Sequence, residues 1–210
     1  MSVSRANIYV DGFNLYYGAL KGTQYKWLNL AELCRLLLPR YHIGEIKYFT
    51  ARVKSRPSDP DQHVRQQVYF RALQTIPNLS IIEGHFLTKP CRMPLMTPIG
   101  TRRTVTVIKT EEKGSDVNLA AHLINDGYKG SYDIAVLITN DSDLNEAVKI
   151  ARSDLGLDVC IFNPHRNNPS VALRQSASFF RPIRPGVLAA SQFPAVMRDA
   201  KGTFHKPTAW

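Results

Sequence analysis

Strand-like and helix-like segments alternate along most of this chain, and that alternation limits its fold more than any other feature. Short apolar runs rich in β-branched and aromatic residues occupy positions 7–10, 46–53, 79–86, 104–108, 134–139 and 159–162. Runs that are apolar at every residue, not at every second one, suit strands covered on both faces. Segments of helical period fill positions 30–38, 62–75, 117–125 and 144–153, with Pro39 and Pro77 as stops and Gly127 and Gly156 as expected C-caps. The pattern predicts an α/β fold: a parallel, doubly wound sheet with helices on both sides. Positions 88–103 hold three prolines, Gly100 and three arginines, so they read as an exposed loop before a strand, with a hairpin or lid near the site as the alternative. Prolines at 182, 185, 194 and 207 predict an irregular or partly disordered segment beyond Phe180.

A length of 210 residues with 44% hydrophobic content suits one core. We expect a domain over residues 1–180 and a basic, proline-containing tail over 181–210. The polar start at positions 1–6 is neither a signal peptide nor a membrane span, so a cytoplasmic protein with no membrane partner is expected. Cys34, Cys91 and Cys160 are far apart and form no CxxC pair, which reads as packing and not as zinc or disulfide chemistry. The formal charge is +10; beyond Asn163, seven Lys or Arg residues face one acid, Asp199. A polyanion is the first partner such a charge suggests, and a merely soluble basic surface is the alternative.

In an open parallel sheet the working crevice lies beyond the carboxyl ends of the strands. The first apolar run delivers Asp11, followed by Gly12, Phe13 and Asn14; the fifth delivers Asp141, Ser142 and Asp143; and Asp116 opens a helix after Lys113, Gly114 and Ser115. Each has a plain structural reading. Asp11 with Gly12 can be a turn, Ser115 with Asp116 a cap and a first-turn acid, and Asp143 with Glu146 a capping box. Their convergence tips the balance, because carboxylates at about 4 Å repel by roughly 1 to 4 kcal/mol per pair. A hard divalent cation, Mg²⁺ or Mn²⁺, is the simplest means of holding Asp11, Asp116, Asp141 and Asp143 together.

These three strings, from Ile8 through Asp11 to Leu15, from Lys113 through Asp116 to Val117, and from Thr139 through Asp141 and Asp143 to Leu144, resemble in order and spacing the signature segments of the NYN domain. That domain is a branch of the PIN-like nucleases related to bacterial LabA proteins. The resemblance spans positions 7–163 and implies a Rossmann-like three-layer α/β/α sandwich. It implies a Mg²⁺ or Mn²⁺ site built from Asp11, Asp116, Asp141 and Asp143, with Asn14 fixing Asp11 and the Ser142 hydroxyl near a substrate phosphate. Many relatives carry a further acid about two turns into the helix after Asp116. This chain has His122 there, which leaves the number of ions open and reads best as a helix-face residue.

The resemblance implies a metal-dependent ribonuclease. Lys113 is placed to meet a phosphate, Arg102, Arg103 and the tail to follow the RNA backbone, and single-stranded RNA is the expected partner. Tyr16, Tyr17, Tyr25 and Trp27 could stack on bases, although core packing is the better expectation for them. A non-catalytic RNA-binding module is the second reading. The third is a pyridine-ring monooxygenase, a label that some similar proteins carry, although no redox-cofactor motif stands in the sequence. Oligomeric state, a homodimer included, is left open.

Overall fold

The structure is a computed structural model that describes residues 3–210. A central sheet runs in the order β3 (Leu79–Glu83), β2 (His42–Thr50), β1 (Arg5–Asp11), β6 (Ile134–Ile138), β7 (Asp158–Asn163) and β8 (Phe179–Pro182), all neighbours parallel. From β1 the chain winds outward to β3, then returns to the other side of β1 to lay down β6. The gap between β1 and β6 is therefore the topological switch point, where such sheets open a crevice. The doubly wound α/β fold expected from the sequence is what the chain adopts.

Two cores sandwich the sheet. Alternate residues of β1 divide between them: Ala6, Ile8 and Val10 pack with α2 (Leu30–Leu37) and α3 (Gln62–Leu73), while Tyr9 packs with α4 (Ser115–Tyr128) and α5 (Asn145–Lys149). This alternation is the two-residue period of a strand covered on both sides. Strand ends, pointing neither way, are left for chemistry. Gly12 follows β1 at such an end, and a Cβ there would stand 2.7 Å from the Phe49 carbonyl oxygen, so only glycine lets the chain turn this close to β2. Gly12–Leu15 then forms α1, which continues through a π-helical turn, Tyr16–Leu20.

Three expectations need correction. Positions 88–103 are not a loop but part of a long hairpin, β4 (His85–Ile99) paired antiparallel with β5 (Arg102–Lys113), the alternative the sequence had left open. Pro90 and Pro94 are tolerated because a two-stranded ribbon has outward positions where no N–H is needed. The segment beyond Phe180 is not irregular. It supplies β8, α7 (Pro185–Ala190) and a hairpin of β9 (Val196–Asp199) with β10 (Gly202–His205). It is tied down by the Trp27 indole N–H, which donates to the Pro194 carbonyl at 2.8 Å, and by Arg71, which holds Asp199. Finally, Gly127 lies inside α4 and not at its cap; the left-handed residue after that helix is Gly130, with φ 64°. A short helix, α6 (Val171–Ser176), precedes β8. No helix among the described residues is long and apolar enough to cross a membrane.

Candidate metal centre

Asp11 ends β1 and is 5% exposed. Its Oδ1 accepts the Asn14 N–H at 2.9 Å, capping α1, and its Oδ2 accepts the Thr139 hydroxyl at 2.9 Å. Thr139 follows β6, is fully buried, and also accepts the Asp141 N–H at 3.0 Å. The Asn14 side chain reaches across the switch point, where its Oδ1 accepts the Asn140 N–H at 2.9 Å. Asn140 is itself fixed by the segment before α6, through Asn168 and Ser170. The ends of β1 and β6 are thus one hydrogen-bonded unit.

Asp141 carries the N-cap of the turn Ser142–Leu144, its Oδ1 accepting the Asp143 N–H at 3.0 Å. The sequence had offered Asp143, in a box with Glu146, as the cap; Asp141 caps with one oxygen, leaving the other free. Asp116 comes from a different direction, in the first turn of α4. Gly114, at φ 97°, makes the sharp entry from β5, a conformation that suits glycine. Ser115 does not cap the helix but donates its hydroxyl to Glu112 at 2.7 Å.

Oxygens of Asp11, Asp116 and Asp141 lie within 4.8 Å of one another. Burial first, and then the charges of Asp116 and Asp141, push the Asp11 carboxyl up to about 7, despite its two hydrogen-bond donors. Asp116 is also raised, first by burial, then by Asp141, Glu112 and Asp143. Three oxygen donors without a basic partner, two of them reluctant to ionise, make a set that fits a small hard cation. A cation placed among them would reverse both shifts.

The three aspartates border a cavity of about 540 Å³. Asn14 lines it too, whereas Asp143, Ser142, Lys113, Arg102 and Arg103 do not. Asp143 is exposed, beside the triad and not within it. Lys113 turns to Glu111, 3.4 Å away. Arg102 and Arg103 sit at the hairpin turn, about 30 Å along the ribbon from Glu112 at the usual rise per residue. His122 packs its ring against Phe49 at 5.7 Å and does not line the cavity, in keeping with a helix-face role. Trp27 is fully buried, as favoured, while Tyr16 and Tyr17 border the cavity. Sequence reasoning missed Thr139, Glu112, Lys26, Arg56 and Trp210. Only Thr139 carried a signal, as the hydroxyl immediately before the Asn140–Asp141 pair.

A model of the NYN domain matches residues 5–184. The chain belongs to the NYN domain family, a nuclease-like family. The chain is 32% identical to the 6-hydroxy-3-succinoylpyridine 3-monooxygenase HspA of Pseudomonas putida, over 98% of its own length and 75% of that protein. It also resembles a crystal structure of a protein of unknown function from Vibrio parahaemolyticus, with a TM-score of 0.58 at 14% identity, covering 87% of this chain and 94% of the other. That likeness bears on the fold alone, an α/β/α arrangement.

Proposed function

We propose that this NYN protein is a metal-dependent ribonuclease that hydrolyses phosphodiester bonds of single-stranded RNA at the edge formed by Asp11, Asp116 and Asp141. The observation that supports this reading is the meeting of three carboxylates, with no basic side chain among them, beside a nucleotide-sized cavity in a chain of a nuclease-like family. Mg²⁺ or Mn²⁺ held by the three aspartates would supply Lewis acidity toward water and a phosphoryl oxygen. The chain's own residues do the positioning. Asn14 and Thr139 hold Asp11 in one rotamer, so its free lone pairs face Asp116 and Asp141. Without a cation the Asp11 carboxyl is raised to about 7, so proton and metal compete for it and more Mn²⁺ is needed as the pH falls. Asp143 contributes an outer carboxylate. Ser142 and Lys113, outside the cavity, meet the flanking phosphates, and Arg102 and Arg103 at the hairpin turn meet the strand several nucleotides away.

The test is a labelled single-stranded RNA incubated with Mn²⁺ or with EDTA, wild type beside Asp11→Asn. Cleavage that needs both metal and Asp11 supports the enzyme. Tight binding without cleavage points to the regulatory RNA-binding module instead.

The likeness to HspA favours a second reading, a monooxygenase acting on a pyridine ring. Oxidation of a reduced pyridine nucleotide that depends on an added hydroxypyridine, with RNA left intact, would replace the hydrolase proposal with this one.

A further inference from the structure

Besides the carboxylates, the cavity is lined by aromatic and cationic side chains, and the metal chemistry makes no use of them. Tyr16 and Tyr17, on the π-helical turn, stand edge to face at 5.3 Å, and Phe13 meets Phe86 of the hairpin base edge to face at 5.7 Å. Trp210 is held against Trp27 and Tyr69, at 6.3 and 5.7 Å, and contributes to the same wall. Tyr16 and Trp210 are each half-buried, so both already present ring surface to the space.

The cations of the lining differ in availability. Arg65 is engaged by Asp59. Lys26 and Arg56 also line the cavity and, among the described residues, no carboxylate lies within ion-pair distance of either. Unpaired cations facing a concave aromatic wall are the complement of a flat ring with a negative substituent. A volume of about 540 Å³ is enough for one such group and too small for a folded one.

We propose that these side chains form a binding subsite for a single planar heteroaromatic ring bearing an anionic group, with the ring against Tyr16 and Trp210 and the anion at Lys26 and Arg56. Resting on the ribonuclease reading, the ring is the nucleobase beside the scissile bond and the anion is that nucleotide's phosphate. The cavity then holds one nucleotide out of the strand's stack, with its neighbouring phosphodiester at the aspartates. A pyridine carrying a carboxylate shares the same chemistry and is the ligand the second reading would require.

The experiment is calorimetric titration of the full chain in EDTA, so that binding is read apart from metal and turnover. Uridine 5′-monophosphate, ribose 5-phosphate and nicotinate are the probes, and quenching of Trp210 fluorescence locates the ligand. We expect uridine 5′-monophosphate to bind at least about tenfold more tightly than ribose 5-phosphate. Tyr16→Ala should remove most of that advantage, and Trp210→Phe should abolish the quench. Lys26→Gln, at a half-buried side chain with no partner to orphan, should weaken uridine 5′-monophosphate about fivefold and leave uridine unchanged, which a folding defect would not do. Nicotinate binding without nucleotide binding keeps the subsite and overturns the ribonuclease reading. Equal affinity for ribose 5-phosphate, or no binding by either ring probe at about 10 mM while RNA is still cut, overturns the subsite and leaves the ribonuclease standing.

Discussion

Two aspartates are buried to almost the same degree and solve the problem differently. Asp126, 6% exposed in the last turn of α4, sits against Lys47 at 2.5 Å and accepts the Tyr9 hydroxyl at 2.8 Å. Asp11, 5% exposed, has two neutral donors and two further carboxylates. A buried charge is stable when it is paired and hydrogen-bonded. The chain completes Asp126 from its own residues, so that site is structural. It leaves Asp11 without an internal cation, a place that a divalent metal could fill. Burial alone therefore does not single out a candidate metal ligand; burial without an internal cation does.

Breaking each site should separate the two roles. Asp11→Asn should lower metal-dependent RNA cleavage by on the order of 10³-fold, measured under single-turnover conditions, while the protein remains folded. Asp126→Ala should do the reverse. It leaves the Lys47 ammonium with only the exposed Glu45, 3.1 Å away, and the Tyr9 hydroxyl without its acceptor, and a loss of about 3 kcal/mol is expected in urea unfolding, with Mn²⁺ affinity per folded molecule unchanged.

The pH dependence sharpens the contrast. The folded Asp11 carboxyl is raised to about 7, whereas an unfolded aspartate titrates near 4. Between those values the native state binds the extra proton, so Asp11's contribution makes the metal-free protein less stable as pH rises from about 4 to 7 and flat above. Thermal melts should show that decline in EDTA and its reversal by Mn²⁺, which binds the ionised form. Asp11→Asn should remove both effects. The smallest change is expected for Asn14→Ala, which cuts the tie between the β1 and β6 ends and should weaken Mn²⁺ binding about tenfold, read by titration.

Asp11, Asp116 and Asp141 were legible from sequence because an apolar run ends, or a helix begins, beside each, and parallel sheets put such ends on one edge. The same local logic failed for capping. Whether Asp141 or Asp143 caps depends on where the turn starts, a matter of two residues. The hairpin was obscured because prolines signal loops, yet Pro90 and Pro94 pair within β4, as a two-stranded ribbon with open edges allows. The last elements are short, four residues each for β8, β9 and β10, and are stabilised by contacts such as Trp27 to Pro194, 167 residues apart. No local pattern announces such a contact. For the same reason Trp210 and Lys26 could not be placed beside Asp11 before the fold was in hand.

Diffraction from crystals soaked in Mn²⁺, at the manganese edge, addresses the central claim most directly. An anomalous peak about 2.1 to 2.3 Å from carboxylate oxygens of Asp11, Asp116 and Asp141, absent from the Asp11→Asn protein, is the expected result. A map with no peak among these oxygens at about 10 mM Mn²⁺, or with the same peak in the Asp11→Asn protein, would contradict it.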